Sequence, residues 1–256
     1  MRLVLAVLLS WLVAAASAQV PAAHTTRVLF IGNALVGGGN LGTRLTKVAE
    51  ATGRSVTVEV VAANGFALED HAKDGKAMEA LRRGFDIVVL QQDAPAIEER
   101  AAFTGEVKRF ADAIRKAGAK PALFMSWPRV DRPQSFRDTI MVHRAAAEAS
   151  GAVLIPAAEA WLRALGEDKR LKLYAGEGTQ AAALGNDLAA MTMFFALFPA
   201  GPQEFDEAYL RKIAGALDIA SSTRDLLVDA ATRAIDEPLA LNGSRQSRKI
   251  TGSSAS

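Results

Sequence analysis

The chain has 256 residues, of which 50% are hydrophobic and 23% are charged, which suits one globular domain with a sizeable core. Its formal net charge of +2 comes from 30 basic and 28 acidic residues, too small an excess to predict a basic face for nucleic acid. The chain contains no cysteine, which excludes disulfides and lipidation at a cysteine. Whatever holds this protein together must therefore be its core.

The first 18 residues have the features of a secretory signal. A positive start at Met1-Arg2 precedes an apolar run from Leu3 to Ala15, and Ala16-Ser17-Ala18 fits a small-x-small cleavage site. The run is short for a bilayer span, although an uncleaved anchor is the alternative. Cleavage after Ala18 would remove Arg2 and lower the formal charge from +2 to +1. We expect a periplasmic or secreted protein with no stable membrane span after cleavage.

Strand and helix patterns alternate along the rest of the chain, with glycines at the helix ends. Apolar and β-branched runs predict five strands: 28–31, 55–61, 86–91, 121–127 and 152–156. Helical spacing predicts the intervening and following helices: 41–52, 68–83, 98–117, 136–150 with Ser135 as the cap, 159–165, 181–198, 204–217 and 222–235. A flexible loop is expected at 37–40.

Such alternation is typical of a parallel sheet covered on both faces, so the predicted fold class is α/β. With right-handed crossovers it becomes a three-layer α/β/α sandwich with a five-stranded parallel sheet. We find no internal repeat, and the domain prediction is a single domain over 19–238. The Ser-, Gly- and Arg-rich tail at 239–256 is expected to be disordered.

The most informative stretch is the first strand and its end, Arg27 to Leu35 (RVLFIGNAL). A buried strand runs into Gly-Asn and then a small residue, Ala34. In α/β proteins ligands bind outside the carboxyl ends of the strands. We therefore expect the functional site at this edge of the sheet.

Further blocks follow in a fixed order. They are Ala63-Asn64-Gly65 with Leu68 to His71, then Val88 to Gln92, Ile155 to Trp161, Leu173-Tyr174, and Glu177-Gly178-Thr179-Gln180 with Leu184-Gly185. Together with the first strand, this series resembles the SGNH (GDSL-like) hydrolases from Arg27 to about Phe198. The resemblance implies a flavodoxin-like version of the predicted sandwich.

The resemblance also assigns catalytic positions, and all three are altered in this chain. The nucleophilic serine of the family corresponds to Ala34, the triad aspartate to Glu177 and the triad histidine to Gln180. A methyl group cannot attack a carbonyl, and an amide does not shuttle protons near neutral pH. Loss of the nucleophile or base in a serine hydrolase costs on the order of a million-fold in rate.

What the resemblance leaves intact is the pocket that would hold an oxyanion. Its expected members are Asn33 with the N–H of Ala34, Gly65, and an amide of Gln91 or Gln92. Such donors can bind a carbonyl or hydroxyl oxygen without cleaving anything.

The remaining residues offer few candidates for replacement catalytic groups. Of the three histidines, His24 precedes the first strand, His71 is expected to cap or pack a helix, and His143 is expected at a surface or interface. Thr179 has no identifiable base, and a carboxylate pair of Glu177 with Asp93 would need a particular separation across the cleft.

No cofactor or metal is predicted. Gly37-x-Gly39-x-x-Gly42 matches a dinucleotide fingerprint formally but lies beyond a tight strand-to-helix turn. Glu69, Asp70 and His71 are consecutive and would point in different directions on a helix. Trp127 is expected either to line the cleft or to be a core residue.

Two functional hypotheses remain. In the first, the protein is an exported, catalytically inactive member of the SGNH type that keeps a cleft for an acylated or carbohydrate ligand or a partner surface. In the second, it is an active ester or acyl-carbohydrate hydrolase with non-standard catalytic residues.

Overall fold

A computed structural model describes residues 24–38, 40–95, 97–176, 178–199 and 206–240. The predicted signal peptide, Glu177 and residues 241–256 lie outside the described residues.

The sheet of the described residues has five parallel strands in the order β2-β1-β3-β4-β5. The strands are β1 (Thr26–Gly32), β2 (Val56–Ala62), β3 (Ile87–Leu90), β4 (Lys120–Phe124) and β5 (Val153–Ile155). Register brings Ile31 opposite Leu90, and Leu90 opposite Leu123. The five predicted strands and their parallel arrangement are confirmed. Because all strands run the same way, their carboxyl ends meet at one edge, which we call the carboxyl edge.

Helices connect and follow the strands. They are α1 (Ala34–Gly38), α2 (Leu41–Ala51), α3 (Leu68–Asp74), α4 (Lys76–Leu81), α5 (Arg100–Lys116), α6 (Phe136–Ser150), α7 (Ala157–Glu167), α8 (Ala183–Leu197), α9 (Glu207–Ala216) and α10 (Ser221–Asp236). Each predicted helix is present within a few residues at its ends, except in the three places described next.

Three local predictions were wrong. The helix expected over 68–83 is interrupted at Gly75, whose φ of +80° ends α3 before α4 begins. Ser135 makes no side-chain cap, because it already lies in a 3₁₀ turn, Pro133–Ser135, with helical backbone angles. Gly37 and Gly38 form the end of α1 rather than a loop.

The sheet separates two apolar cores. Successive residues of a strand point to opposite faces, so Val28 and Phe30 pack into one core while Leu29 and Ile31 pack into the other. Helices α2, α7, α8, α9 and α10 cover the first face, and α3 to α6 cover the second. This is the predicted three-layer α/β/α sandwich.

A buried ion pair fixes the end of the described chain. Arg144 of α6 contacts both carboxylate oxygens of Glu159 in α7, with Nε–Oε1 and Nη2–Oε2 distances of 2.9 and 2.6 Å. The same pair holds Leu239 from both sides, since Glu159 accepts its N–H and Arg144 donates to its carbonyl. The first residue of the predicted tail is thus anchored, and residue 240 is the last one described.

No helix among the described residues has the length and apolar character to cross a membrane.

Candidate functional site

The carboxyl end of β1 is held by contacts that only glycine permits at position 32. A Cβ on Gly32 would lie 2.9 Å from both the Gln91 carbonyl oxygen and Cγ2 of Val36. The Gly32 carbonyl accepts the Ala63 N–H at 3.1 Å and a proton from Nε2 of His71 at 2.7 Å. These contacts join the end of β1 to the segment after β2 and to α3.

Asn33 fixes the turn that follows. It is 3% exposed, and its N–H donates to Oε1 of Gln91 at 3.0 Å. Its side-chain oxygen accepts the Leu35 N–H at 3.1 Å, while its Nδ2 donates to Oδ1 of Asp93 at 2.9 Å. Ala34 is therefore placed at the start of α1, half-buried, where backbone N–H groups have no acceptor within the helix.

The two glutamines expected near the oxyanion pocket have different surroundings. Gln91 is fully buried, and its Oε1 supports Asn33 from beneath the turn. Gln92 is half-buried; its Oε1 accepts the N–H of Leu68, the first residue of α3, and its carbonyl accepts the Ser126 hydroxyl at 2.9 Å. Both side chains tie neighbouring segments together, and the burial of Gln91 keeps its amide from a ligand in the cleft.

Gly65 lies in an exposed turn after β2. Its φ of +75° is in the left-handed region, and no atom lies within 4 Å of where a Cβ would be. The glycine at this position therefore serves backbone conformation, with open space above it.

The segment that carries the Gln180 position is fastened to the end of β4. The Thr179 carbonyl accepts the Nε1 proton of Trp127 at 2.7 Å, and the Gly178 carbonyl accepts the Val130 N–H at 3.2 Å. Gln180 itself is exposed, and its carbonyl accepts the Ala175 N–H at 2.9 Å. This loop lies at the same carboxyl edge of the sheet as the β1 turn.

A pocket of about 390 Å³ opens between the segments that follow β3 and β4, the start of α6 and Thr179. Asp93, which is bonded to Asn33, and Thr179, the neighbour of Gln180, both line it. Ala34 and Gln180 each adjoin a residue of this network but do not themselves line the pocket. We call this cavity the edge pocket.

Trp127 combines the two roles expected for it. It lines the edge pocket but is only 1% exposed, and its ring stacks on Trp161 with centroids 3.8 Å apart and planes 7° apart. It is mainly a core residue whose margin reaches the pocket.

None of the three histidines lines the edge pocket. His71 is fully buried, and its Nε2 is used by the Gly32 carbonyl, which agrees with the packing role expected for it. His24 lies before β1, at the opposite edge of the sheet, and contacts Asp86 at 3.3 Å.

The expectation of a surface position for His143 was wrong. The ring is fully buried, contacts Phe103 edge-on at 5.1 Å and donates from Nδ1 to the Thr139 carbonyl at 2.8 Å. Burial lowers the pKa of His143 from 6.5 to about 4, so it is uncharged at neutral pH.

Taken over the described ranges, no serine or threonine hydroxyl bonds to a histidine ring. The same residues contain no group of three or more His, Cys, Asp or Glu side chains that could hold a metal ion. The Asp93–Glu177 carboxylate pair remains a prediction, because Glu177 lies outside the described residues.

The strand order and the position of the site define the class: an α/β/α sandwich with its candidate site at the carboxyl edge. Neither a protein-family model nor a curated protein matches the chain. Solved structures do match it. A protein from Slackia heliotrinireducens, described as a candidate SGNH hydrolase, is 25% identical with a TM-score of 0.56, covering 68% of this chain and 100% of that one.

Two further similar structures extend the comparison. A DUF4886 family protein from Bacteroides uniformis is 18% identical with a TM-score of 0.64, over 84% of this chain and 96% of that one. The acetyl xylan esterase AlAXEase is 16% identical with a TM-score of 0.57, over 67% and 100%. The chain has the SGNH hydrolase fold, as the sequence motifs predicted.

Proposed function

We propose that this protein is an exported, non-catalytic SGNH-fold protein that binds an acylated or carbohydrate ligand at the edge pocket. The observation that carries the proposal is the replacement of the serine and histidine that the family resemblance expects at the carboxyl edge. Ala34 stands at the turn after β1 and Gln180 in the loop fastened to β4, where the family resemblance puts serine and histidine.

The size of the loss supports a binding role. Without its nucleophile or base a serine hydrolase loses on the order of a million-fold in rate, which corresponds to about 8 kcal/mol of transition-state stabilisation. Neither His71 nor His143 offers a substitute base, because both are fully buried with one ring nitrogen already bonded to a carbonyl.

The structure around the altered triad positions supports ligand binding at the carboxyl edge. A pocket of about 390 Å³ lies at the same edge as the Gly32 turn, the buried Asn33 and the fastened residues 178–180, and its volume is within the usual size range of ligand sites. One similar structure is an acetyl xylan esterase, and this supports an acylated carbohydrate as the kind of ligand.

Export is proposed from the first 18 residues alone. Expression of the full chain in a bacterium, with fractionation and amino-terminal sequencing, should recover a periplasmic product that begins at Gln19. Recovery of the intact chain in the cytoplasm would contradict export without bearing on the binding role.

Catalytic inactivity can be tested with purified mature protein. We expect no turnover of short-chain nitrophenyl esters or acetylated xylan above the background of a heat-denatured sample. The matched comparison is the triple variant Ala34→Ser, Glu177→Asp, Gln180→His, in which we expect ester hydrolysis to appear. Ala34→Ser alone should stay inactive, because it still lacks a base.

Ester turnover by the wild type would contradict the proposal, provided that the activity co-purifies with the protein. Loss of that turnover in Thr179→Ala would then support the second hypothesis, an active hydrolase with non-standard residues.

A further inference from the structure

The edge pocket carries more negative than positive charge. Asp93, Glu98 and Asp138 line it, and none of these three forms an ion pair within the described ranges. Of the two arginines in the lining, Arg129 forks onto Asp131 with Nε–Oδ1 and Nη2–Oδ2 distances of 3.1 and 3.3 Å.

Arg132 is the remaining cation of the lining. Three carboxylates against this one uncompensated arginine leave an excess of two negative charges, although the whole chain is formally +2. A pocket with excess negative charge attracts cations and repels anions. The effect is stronger than for the same charges on an open surface, because a cleft concentrates their electric field.

An unpaired hydroxyl in the lining gives independent evidence for a polar ligand. Thr139 is 2% exposed and lines the pocket, and its hydroxyl has no hydrogen-bond partner among the described residues. Because this oxygen is not itself fully buried, it can bond to a polar group of a bound molecule. Ser135 places a second hydroxyl in the same lining.

The lining also has apolar members. Pro95, Ile97 and Pro128 contribute to it, with the margin of Trp127. Apolar walls with a few convergent polar groups are typical of small-molecule sites. The ligand should therefore have an apolar face as well as hydroxyls and a positive charge.

We propose that the edge pocket binds an amino sugar, that is, a glycan unit bearing a protonated primary amine. This assignment rests on the binding function proposed above and specifies its ligand. The ammonium group meets the carboxylates of Glu98 and Asp138, and the sugar hydroxyls supply partners for Thr139 and Ser135. A lysine side chain would satisfy the carboxylates with its single ammonium group, whereas an amino sugar also brings several hydroxyls that can bond to Thr139 and Ser135.

Calorimetric titration with matched probes tests the assignment, at low salt and at a mildly acidic pH where the amines are protonated. The probes are chitotetraose, its fully N-acetylated form, tetralysine and tetragalacturonic acid. We expect chitotetraose to bind about tenfold or more tightly than the N-acetylated tetramer, because the two differ in charge but not in ring structure. Tetragalacturonic acid should not bind.

Charge-neutral variants locate the binding. Glu98→Gln and Asp138→Asn should each weaken chitotetraose binding by about three- to tenfold, and both residues are exposed, so folding should not change. Glu148→Gln is the matched control, since it removes the same charge from an exposed position of α6 outside the pocket lining. It should leave the affinity unchanged.

Each contrary result has a distinct meaning. Equal affinity for both tetramers would overturn charge selection while leaving a carbohydrate-binding role intact. Tighter binding of tetralysine would overturn the sugar assignment, and so would the lack of binding of every probe. Ester turnover by the wild type would contradict the proposed function itself and is measured separately.

Discussion

Removing one partner of the buried Arg144–Glu159 pair should destabilise the protein, and the two removals should differ. Glu159 is 1% exposed in its side chain, whereas Arg144 is 26% exposed. Arg144→Met leaves a carboxylate deep in the interior with only the Leu239 N–H as a partner. Glu159→Gln leaves an arginine that water can reach, and the new amide can still accept a hydrogen bond.

The structure sets the expected magnitudes. Stranding a buried charge costs about 3–5 kcal/mol, so Arg144→Met should lower the free energy of unfolding by about 3–4 kcal/mol. For Glu159→Gln we expect about 1–2 kcal/mol, the cost of weakened hydrogen bonds. In a domain of this size the larger change lowers Tm by about 6–16 °C.

Urea unfolding followed by circular dichroism measures these changes. The double variant should lose at least about 1 kcal/mol less than the sum of the single variants, because Arg144→Met strands a buried charge only while the Glu159 carboxylate is present. Arg170→Met is the control, since Arg170 forks onto Asp168 at the surface and is 91% exposed in its side chain. It should have no measurable effect.

The reasoning would be refuted if Glu159→Gln were the more damaging single change, or if the two losses were additive. Either result would mean that the pair is hydrated despite its position, or that Leu239 rather than the charges carries the stability.

Three other changes test packing, burial and helix formation. Gly185→Ala should destabilise the protein by about 2–4 kcal/mol in urea unfolding, because its Cβ would collide with the Leu173 carbonyl and would lie 2.6 Å from the Trp161 ring. An unfolded histidine takes up a proton near pH 6.5, but folded His143 does so only at about 4, so stability should fall by about 3 kcal/mol between pH 7 and pH 4. His143→Met should reduce that loss in urea titrations at several pH values, and an unchanged pH dependence would contradict the assignment. Gly105→Ala should instead stabilise α5 by about 0.5–1 kcal/mol, measured as a higher Tm, because the position has space for a Cβ and needs no left-handed backbone; a lower Tm would contradict this.

The order of strands and helices could be predicted because buried parallel strands have continuous apolar runs in their sequence. Val28 to Ile31 are all fully buried, two to each core, as a strand covered on both faces requires. The turn after Ile31 could also be placed, because Gly-Asn there follows the strand directly.

Side-chain directions could not be predicted, because they depend on contacts between distant parts of the chain. His143 lies among alanines in sequence, and its burial comes from Phe103 on α5. Gln91 was one of two glutamines expected to offer an amide to a ligand, and the missing Cβ of Gly32 lets its side chain fold beneath the turn. The break at Gly75 could not be predicted, because the helical spacing of apolar residues continues from α3 into α4 without interruption.

The bond between His71 and the Gly32 carbonyl limits how esterase chemistry could be introduced into this scaffold. At 2.7 Å the imidazole must keep a proton on Nε2, and drawing it away to serve a new nucleophile would loosen the junction of β1 with α3. Selection experiments that start from Ala34→Ser should therefore recruit their proton acceptor from the loop at 178–180. The His71 imidazole, although close to the end of β1, has a structural role and is not free to act as a catalytic base.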